Sequence, residues 1–317
     1  MRKVMVTMTT LAAVLCLLAL SRLQAQNQDG DVGPGPAVSN AAVARLSVIA
    51  GAVSTQRAAS GNNNDAQGEW TAGAINQPLL SGDAVATSGG ARAEVQLDYA
   101  DLLRLSENSQ ATLANLTTSS LQVQIGQGLA DYVVLPRAAA ASELDSPNVA
   151  IRPRGQGIFR VLVNSDSETV VIVREGEADV STSDGSAVLH SGQMMTVDGT
   201  DQPEYQIANA PGRDDWDQWN QNRDRQMAGA HSWDNANHYY TGVGDLDGYG
   251  RWVSAPGYGM VWTPAMASGW TPYSVGRWVY EPYWGWTWVS SEPWGWAPYH
   301  YGRWFYYQTG WVWWPGP

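Results

Sequence analysis

Few side chains in this sequence could do covalent chemistry, and they are scattered. The single cysteine is Cys16, and there are only four histidines, which excludes a disulfide framework and cysteine metal sites and promises no metal centre. His190 alternates with Val188 at a strand position, where a lone histidine reads as a surface residue. Glu175 and Glu177 flank Gly176; two carboxylates that close can share a proton, but in a turn they read as solubilising charge. Lys3 is the only lysine, so no lysine base is available, and no nucleophile elbow appears. Asn115-Leu116-Thr117 matches a glycosylation acceptor, a triplet common by chance. Gly244-Asp245-Leu246-Asp247-Gly248 has the composition of a calcium loop without its further ligands or terminal Glu, and reads as a solvated turn. The chain is therefore expected not to be an enzyme and to need no cofactor.

The aromatic side chains offer a different chemistry. Tryptophan and tyrosine number 17 and 14 against 2 phenylalanines, a skewed aromatic make-up. Gly250-Arg251-Trp252, Gly276-Arg277-Trp278 and Gly302-Arg303-Trp304 recur at intervals of 26 residues. Gly269-Trp270-Thr271-Pro272-Tyr273 returns in the same period as Gly295-Trp296-Ala297-Pro298-Tyr299. Trp262 maps onto Trp288, and onto Trp313 after a one-residue deletion. Such a fixed period marks two full copies and a truncated third of one structural unit. Exposed rings in such a unit are platforms on which sugar rings and quaternary ammonium groups stack. The candidate binding residues are Trp284, Trp286, Trp294, Trp296 and Tyr299, with Arg277 beside them.

Residues 249–317 contain no Leu and no Ile, so indoles and phenols must also build the core. Each aromatic buries roughly 150–250 Å², worth about 4–6 kcal/mol at most. Ordering the chain costs roughly 1.5 kcal/mol per residue, so most tryptophans have to be inside. Each copy reads as strand (Arg277–Tyr280), turn (Glu281-Pro282-Tyr283), strand (Trp284–Val289) and a crossover through Trp294-Gly295-Trp296. Alternation would put Trp284, Trp286 and Trp288 on one strand face. The arginine of each copy is expected to stack on indole.

The elements upstream alternate in twos. Val95, Leu97 and Tyr99 share one face, as do Leu121, Val123 and Ile125. Phe159, Val161 and Val163 should pair with Val171 and Val173, and Val180 and Val188 flank a hairpin turn at Thr182–Gly185. Gly126-Gln127-Gly128 and similar glycines would hold strands to five or six residues. The fold class is all-β: a domain of short strands over 46–206, solenoid-like or a sandwich, and β-hairpin repeats over 249–317. An acidic connector over 207–248 carries one short helix at 214–227, with Trp216, Trp219, Arg223 and Met227 at helical spacing and laid on a β-surface. Arg2 and Lys3, the apolar run Val4–Leu20 and Leu23-Gln24-Ala25 read as a signal peptide over 1–25, cleaved before Gln26.

The motifs of 46–206 resemble the FecR-type domain. They are Gly51-Ala52-Val53, Gly68-Glu69-Trp70, Leu79-Leu80-Ser81-Gly82-Asp83, Thr87–Ala93, Leu121–Gly128, Gly157–Val161, Gly176 with Ala178-Asp179-Val180, and Ser191-Gly192-Gln193. The resemblance implies an extracytoplasmic β-domain. The family's best-known members sense loaded outer-membrane receptors and control a sigma factor from a cytoplasmic segment, and this sequence shows no such segment before its apolar run. From Tyr239 to Pro317 the chain is similar to a tryptophan-rich repeat family of unknown function found behind FecR-type domains.

A net charge of −12 repels phosphate backbones and anionic lipid, excluding nucleic acid as a partner. Membrane association would come only through an uncleaved N-terminal segment. The sequence thus predicts an exported, periplasmic or extracellular protein whose aromatic repeat binds cell-envelope polysaccharide or protein. The alternative is a FecR-like sensor acting through a separate membrane transducer.

Overall fold

A computed structural model describes residues 40–59, 68–165, 167–281 and 284–317. The signal segment over 1–25 and the turn residues Pro282 and Tyr283 lie outside the described residues. Strands β1 (Ala44–Ala50), β2 (Val53–Gln56), β3 (Thr71–Ala72), β4 (Pro78–Leu79), β5 (Ala84–Thr87), β6 (Arg92–Gln96), β7 (Asp101–Leu105) and β8 (Gln110–Leu116) lead to β9 (Ser120–Val134). Then come β10 (Ala141–Asp145), β11 (Ala150–Pro153), β12 (Gly157–Ser165), β13 (Glu168–Glu175), β14 (Glu177–Thr182), β15 (Gly185–His190), β16 (Gln193–Asp198) and β17 (Glu204–Asn209).

They form two layers. One runs β4-β1-β6-β7-β9-β12-β13-β16-β17. The other runs β3-β2-β5-β8-β9-β10-β11-β14-β15, with β9 and β10 parallel. Alternate side chains of both layers, among them Leu46, Val95, Leu103, Phe159 and Val171 from one and Val85, Leu113, Val123, Ile151 and Leu189 from the other, share one core. The architecture is a sandwich. The expected pairings Phe159 with Val173 and Val161 with Val171 are present.

Strand β9 departs from the sequence reading. It spans 15 residues and passes through Gly126-Gln127-Gly128, which the glycines would have broken. It belongs to both layers, pairing with β8 before Gly128 and with β7 and β12 from there on. The transfer needs Gly128: its φ is +82°, and a Cβ there would meet Ser109 Oγ at 2.5 Å. Strand β6 ends at Gln96, so Leu97 is buried beyond it and Tyr99 falls in a bend.

Helix α1 (Asp215–Ala228) lies where the spacing placed it, with Asp214 and Asp217 forming a reciprocal capping box. Trp216 and Met227 are buried, but so are Asp217 and Asn220. They cover an outer face of the sandwich that alternation assigns to solvent. There Glu94, Arg104, Asp131 and Arg160 stand directly opposite one another across β6, β7, β9 and β12. None of the four is more than 4 % exposed. Helix residues complete the ladder: Arg223 pairs with Glu94, Asp224 with Arg104, and Asp217 with both Arg160 and Arg174. Burial opposes ionisation of Glu94, but Arg104 and Arg223 prevail and hold its carboxyl at about 2.

The tryptophan-rich part begins with 3-10 turns at His231–Asp234 and Val243–Gly248. Gly244–Gly248, read from the sequence as a solvated turn, falls in the second of these, and its acids are engaged: Asp245 pairs with Arg45, and Asp247 accepts from the backbone and side chain of Ser232. Hairpins β18 (Gly250–Ala255) and β19 (Gly259–Pro264), then β20 (Gly276–Glu281) and β21 (Gly285–Ser290), are followed by helix α2 (Ala297–His300) and by β22 (Arg303–Tyr307) and β23 (Gly310–Trp314). The first and third hairpins join through Trp262 and Trp313 into a four-stranded sheet β18-β19-β23-β22. The middle hairpin is a separate two-stranded sheet. The described residues from Asn40 to Pro317 form one compact unit.

Candidate aromatic binding site

Indole builds the core, as the lack of aliphatic residues requires. Trp262, Trp294 and Trp313 are buried with Val243, Leu246 and Ala297, and Trp233, Trp252, Trp270 and Trp304 pack around them. Trp294 meets Trp262 at 5.0 Å and Trp270 at 5.8 Å, tilted or edge-on, the geometry that ring quadrupoles favour. A buried acid organises the rim of this core. Glu292 accepts from Trp270 Nε1 at 2.7 Å, Tyr299 Oη at 2.8 Å and Ser290 Oγ at 2.9 Å. Burial first, then the hydrogen bond it donates to Glu292, push the Tyr299 phenol far above its ordinary value.

The repeat position of Trp262, Trp288 and Trp313 is buried in every copy, whereas that of Trp252, Trp278 and Trp304 is not. Trp278 is exposed, while its two counterparts are half-buried. The surplus rings therefore collect on the middle hairpin. On one face of β20–β21 Trp278 stands opposite Trp288 and Tyr280 opposite Trp286, and Tyr273 stacks on Trp278 at 5.8 Å. Tyr280 and Trp286 are 66 % and 69 % exposed.

The six predicted residues do not share one surface. Trp286 lies on this exposed face. Arg277 is exposed on the opposite face of β20, across from Val289. Trp294 is interior, with Tyr299 half-buried beside it and stacked on it. Trp296 is buried against His300. Trp284 is not on a strand with Trp286 and Trp288, because β21 starts at Gly285, whose φ of +75° turns the chain. It sits in the turn and faces the sandwich. Of the periodic arginines, Arg303 stacks on an indole, that of Trp314 at 4.8 Å.

Around Trp284 the middle hairpin and the sandwich enclose two adjoining hollows. One, of about 510 Å³, is lined by Arg57, Leu80, Asp83, Tyr280, Glu281 and Trp284. The other, of about 290 Å³, shares Glu281 and Trp284 and adds Pro78, Trp296, His300 and Tyr301. Arg57 joins the two sides, bonding Asp83 at 2.8 Å and Glu281 at 2.6 Å. Burial raises the Glu281 carboxyl against the pull of Arg57. Deeper in the joint, Asn76 donates to the main-chain carbonyls of Ser290 at 3.2 Å and Glu292 at 2.7 Å. Arg57, Asn76, Glu281 and Glu292 were not foreseen as site residues; the Arg57–Glu281 pair and the bonds of Asn76 to Ser290 and Glu292 join positions more than 200 apart, and Glu292 gathers Trp270, Ser290 and Tyr299 from separate segments, beyond any local pattern. Among the described residues, no group of three or more His, Cys, Asp or Glu could hold a metal ion.

The sandwich that carries Asp83 and the ladder can now be placed. Residues 83–179 match the FecR protein family. Residues 243–317 match a family of unknown function, DUF6600. Both agree with the resemblances carried by the sequence motifs. Two crystal structures of a proposed anti-sigma factor from Parabacteroides distasonis are similar to the chain, at 19 % and 18 % identity and TM-scores of 0.35 and 0.36. Each similarity covers 40 % of this chain and 59 % of the other, so the chain spans less than two thirds of those proteins. No curated protein matches the sequence. No described helix is long and apolar enough to cross a membrane.

Proposed function

We infer that this chain is a FecR-like sensor of the cell envelope, exported and non-enzymatic, which acts through a separate membrane transducer. The FecR match over 83–179 supports the regulatory class. The observation that carries the reading is the polar joint between the two parts. Asn76, fully buried, uses its amide on the carbonyls of Ser290 and Glu292, while Arg45 holds Asp245 and Arg57 holds Glu281. A mere tether would not need buried, directional bonds. A rigid joint fits a protein in which an event at the aromatic repeat alters what the FecR-like sandwich presents. The test is transcription in cells whose gene is deleted or replaced by an Asn76→Ala variant. A sensor predicts the same small set of altered transcripts in both, with the variant protein still exported; unchanged transcription in the deletion strain overturns the reading.

Scaffolding by envelope binding is the second reading. The exposed rings Trp278, Tyr280 and Trp286 favour it, since aromatic rings left in water on one hairpin face are a stacking surface. Retention of the protein on fractionated envelope, without any transcriptional effect, is its signature.

A further inference from the structure

Strand β17 ends the first layer of the sandwich and is open on both faces and along its outer edge. It pairs with β16 in a regular register over its whole length, from Asp198 opposite Glu204 to Gln193 opposite Asn209. Every one of its six residues is exposed. On one face that exposure is out of place. Met195 stands opposite Ile207 and Val197 opposite Tyr205, and both β16 residues belong to the core. Residues directly opposite share a face, so Tyr205 and Ile207 lie on the inner side of the layer, yet they are 45 % and 40 % exposed. The second layer ends at β15, which gives Leu189 to the core, whereas β17 gives it nothing. The first layer overhangs the second by this strand. Its edge is equally bare. Just past the ladder the Ala210 N–H donates to Gly192, so the even-numbered residues of β17 turn their main-chain groups to β16 and the odd-numbered ones turn theirs outward. The N–H and C=O of Tyr205, Ile207 and Asn209 line an edge on which no other described strand pairs. Native sheets blunt such edges with proline, lysine, a bulge or a covering segment; residues 204–209 carry none of these.

We propose that β17 pairs antiparallel with β17 of a second copy of this chain, across a two-fold axis at Gln206, so that two sandwiches share one continuous sheet. In this register Tyr205 of each copy opposes Ile207 of the other. Both are outward-turned residues, so each such pair exchanges both of its main-chain hydrogen bonds. An aromatic ring and a β-branched side chain then meet on the uncovered inner face, a favourable cross-strand combination. The two-fold makes both pairs at once, as a self-complementary patch must. Charge fits as well. The strand's one charge, Glu204, is at its first position, so antiparallel order keeps the two copies of it at opposite ends. The same order turns the exposed acids Asp198, Asp201 and Glu204 of one copy toward the end of the strand from which the chain runs on to Arg213 in the other. The Arg213 side chain is 44 % exposed. Two six-residue strands bury less than the roughly 1,200 Å² of a standard interface, which makes a weak dimer, with a Kd of about 10–100 μM. This inference goes beyond the sensor reading and stands without it.

The test is sedimentation of the exported chain at concentrations from about 1 μM to 1 mM. The parent passes from monomer to dimer across that range. Ile207→Pro removes an N–H that the β16 ladder does not use, and proline is tolerated at such an edge position; it weakens the dimer tenfold or more. Urea unfolding at the dilute end of the range, where the parent is monomeric, shows that this variant still folds. Ile207→Lys, which needs no proline, sets a charge against Tyr205 and weakens the dimer as well. Adding Tyr205→Glu recovers at least threefold, because opposite charges then face each other in both pairs. Amide exchange of the parent is a reading that needs no variant: protection at Tyr205 and Ile207 rises with concentration, while Gln206 and Ala208, bonded to β16, are protected throughout. A parent that stays monomeric at every concentration overturns the proposal. So does a folded Ile207→Pro chain that dimerises as tightly as the parent, or exchange at Tyr205 and Ile207 that ignores concentration. A double variant no tighter than Ile207→Lys alone overturns the register at Gln206.

Discussion

Asn76 donates its side-chain amide to the main-chain carbonyl of Glu292 at 2.7 Å across the joint between the FecR-like sandwich and the tryptophan-rich part. Its carbonyl oxygen accepts from Arg45 at 3.0 Å, so one buried side chain serves three partners. It also sits at φ +58°, a conformation asparagine tolerates better than other residues with a Cβ. Asn76→Ala should therefore cost about 2–4 kcal/mol, from unsatisfied buried carbonyls and from strain. Asn76→Gly keeps the hydrogen-bond loss and removes the strain. Urea unfolding should rank parent above the glycine variant and that above the alanine variant. Hydrogen exchange should speed up over 276–290 in both. An alanine variant as stable as the parent would show that the joint contributes nothing.

The charged ladder under helix α1 makes a second prediction. Arg160 bonds Asp131, Asp214 and Asp217 at 2.9–3.0 Å. Arg160→Met strands Asp131 in a buried site, where loss of one partner costs about 3–5 kcal/mol. The double variant Arg160→Met with Asp131→Leu should recover most of that loss, because an apolar replacement removes the stranded charge. Trypsin reports on the helix itself through Arg223 and Arg225: cleavage there should accelerate in the single variant and slow again in the double. Equal cleavage rates in all three would mean that the ladder does not hold the helix.

Two tryptophans on the repeat separate core from surface. Trp262 is fully buried and Trp286 is 69 % exposed. Trp262→Ala should lose about 3–5 kcal/mol, whereas Trp286→Ala should stay within about 0.5 kcal/mol of the parent. Thermal or urea unfolding measures both. A large loss at Trp286 would mean that the middle hairpin packs its exposed face in solution.

This contrast also marks how much the sequence could reveal. That tryptophans such as Trp262, Trp294 and Trp313 would make the core followed from a repeat that has no Leu or Ile to bury instead; which repeat position would be buried did not. Which copy would carry the surplus rings did not, because that depends on β19 pairing with β23 and leaving β20–β21 apart. The alternation around Val95 in β6 and through Phe159, Val161 and Val163 in β12 marked the core face. The burial of Glu94 and Arg160 was not legible, since a period of two distinguishes faces and cannot say that a distant helix covers the second one. The helix was legible from its Asp214 cap and the spacing of Trp216 and Met227. That the helix would lie on a β-surface through Trp216 was legible as well; the contacts of Asp217, Asn220 and Asp224 were not, because these residues are polar and look solvated. Trp284 was picked out by type, yet its role as a groove wall depends on Gly285 and on Arg57, more than two hundred residues earlier in the chain.

Acid titration should show two opposing trends. Asp101 is fully buried, and its oxygen accepts from Tyr132 Oη at 2.9 Å and Ser142 Oγ at 3.0 Å. Burial, then the neighbouring Asp98, push its carboxyl from an ordinary 3.8 up to about 7, against those hydrogen bonds. The folded state thus binds this proton more tightly than the unfolded chain. The associated stability is full below about pH 3.8 and is lost as pH rises through 7. Glu94, held at about 2 from an ordinary 4.5, works the other way: its contribution is present above 4.5 and lost as pH falls through 2. Stability should peak in mildly acidic solution and decline toward neutrality. Asp101→Asn keeps an acceptor for Tyr132 and Ser142 and cannot ionise. It should remove the decline between pH 4 and 7.5 and stabilise the protein at pH 7.5 by about 2–4 kcal/mol. Urea midpoints of parent and variant across that range measure it. Parallel profiles for the two proteins would show that Asp101 stays charged in the fold, with its buried oxygen satisfied by other means.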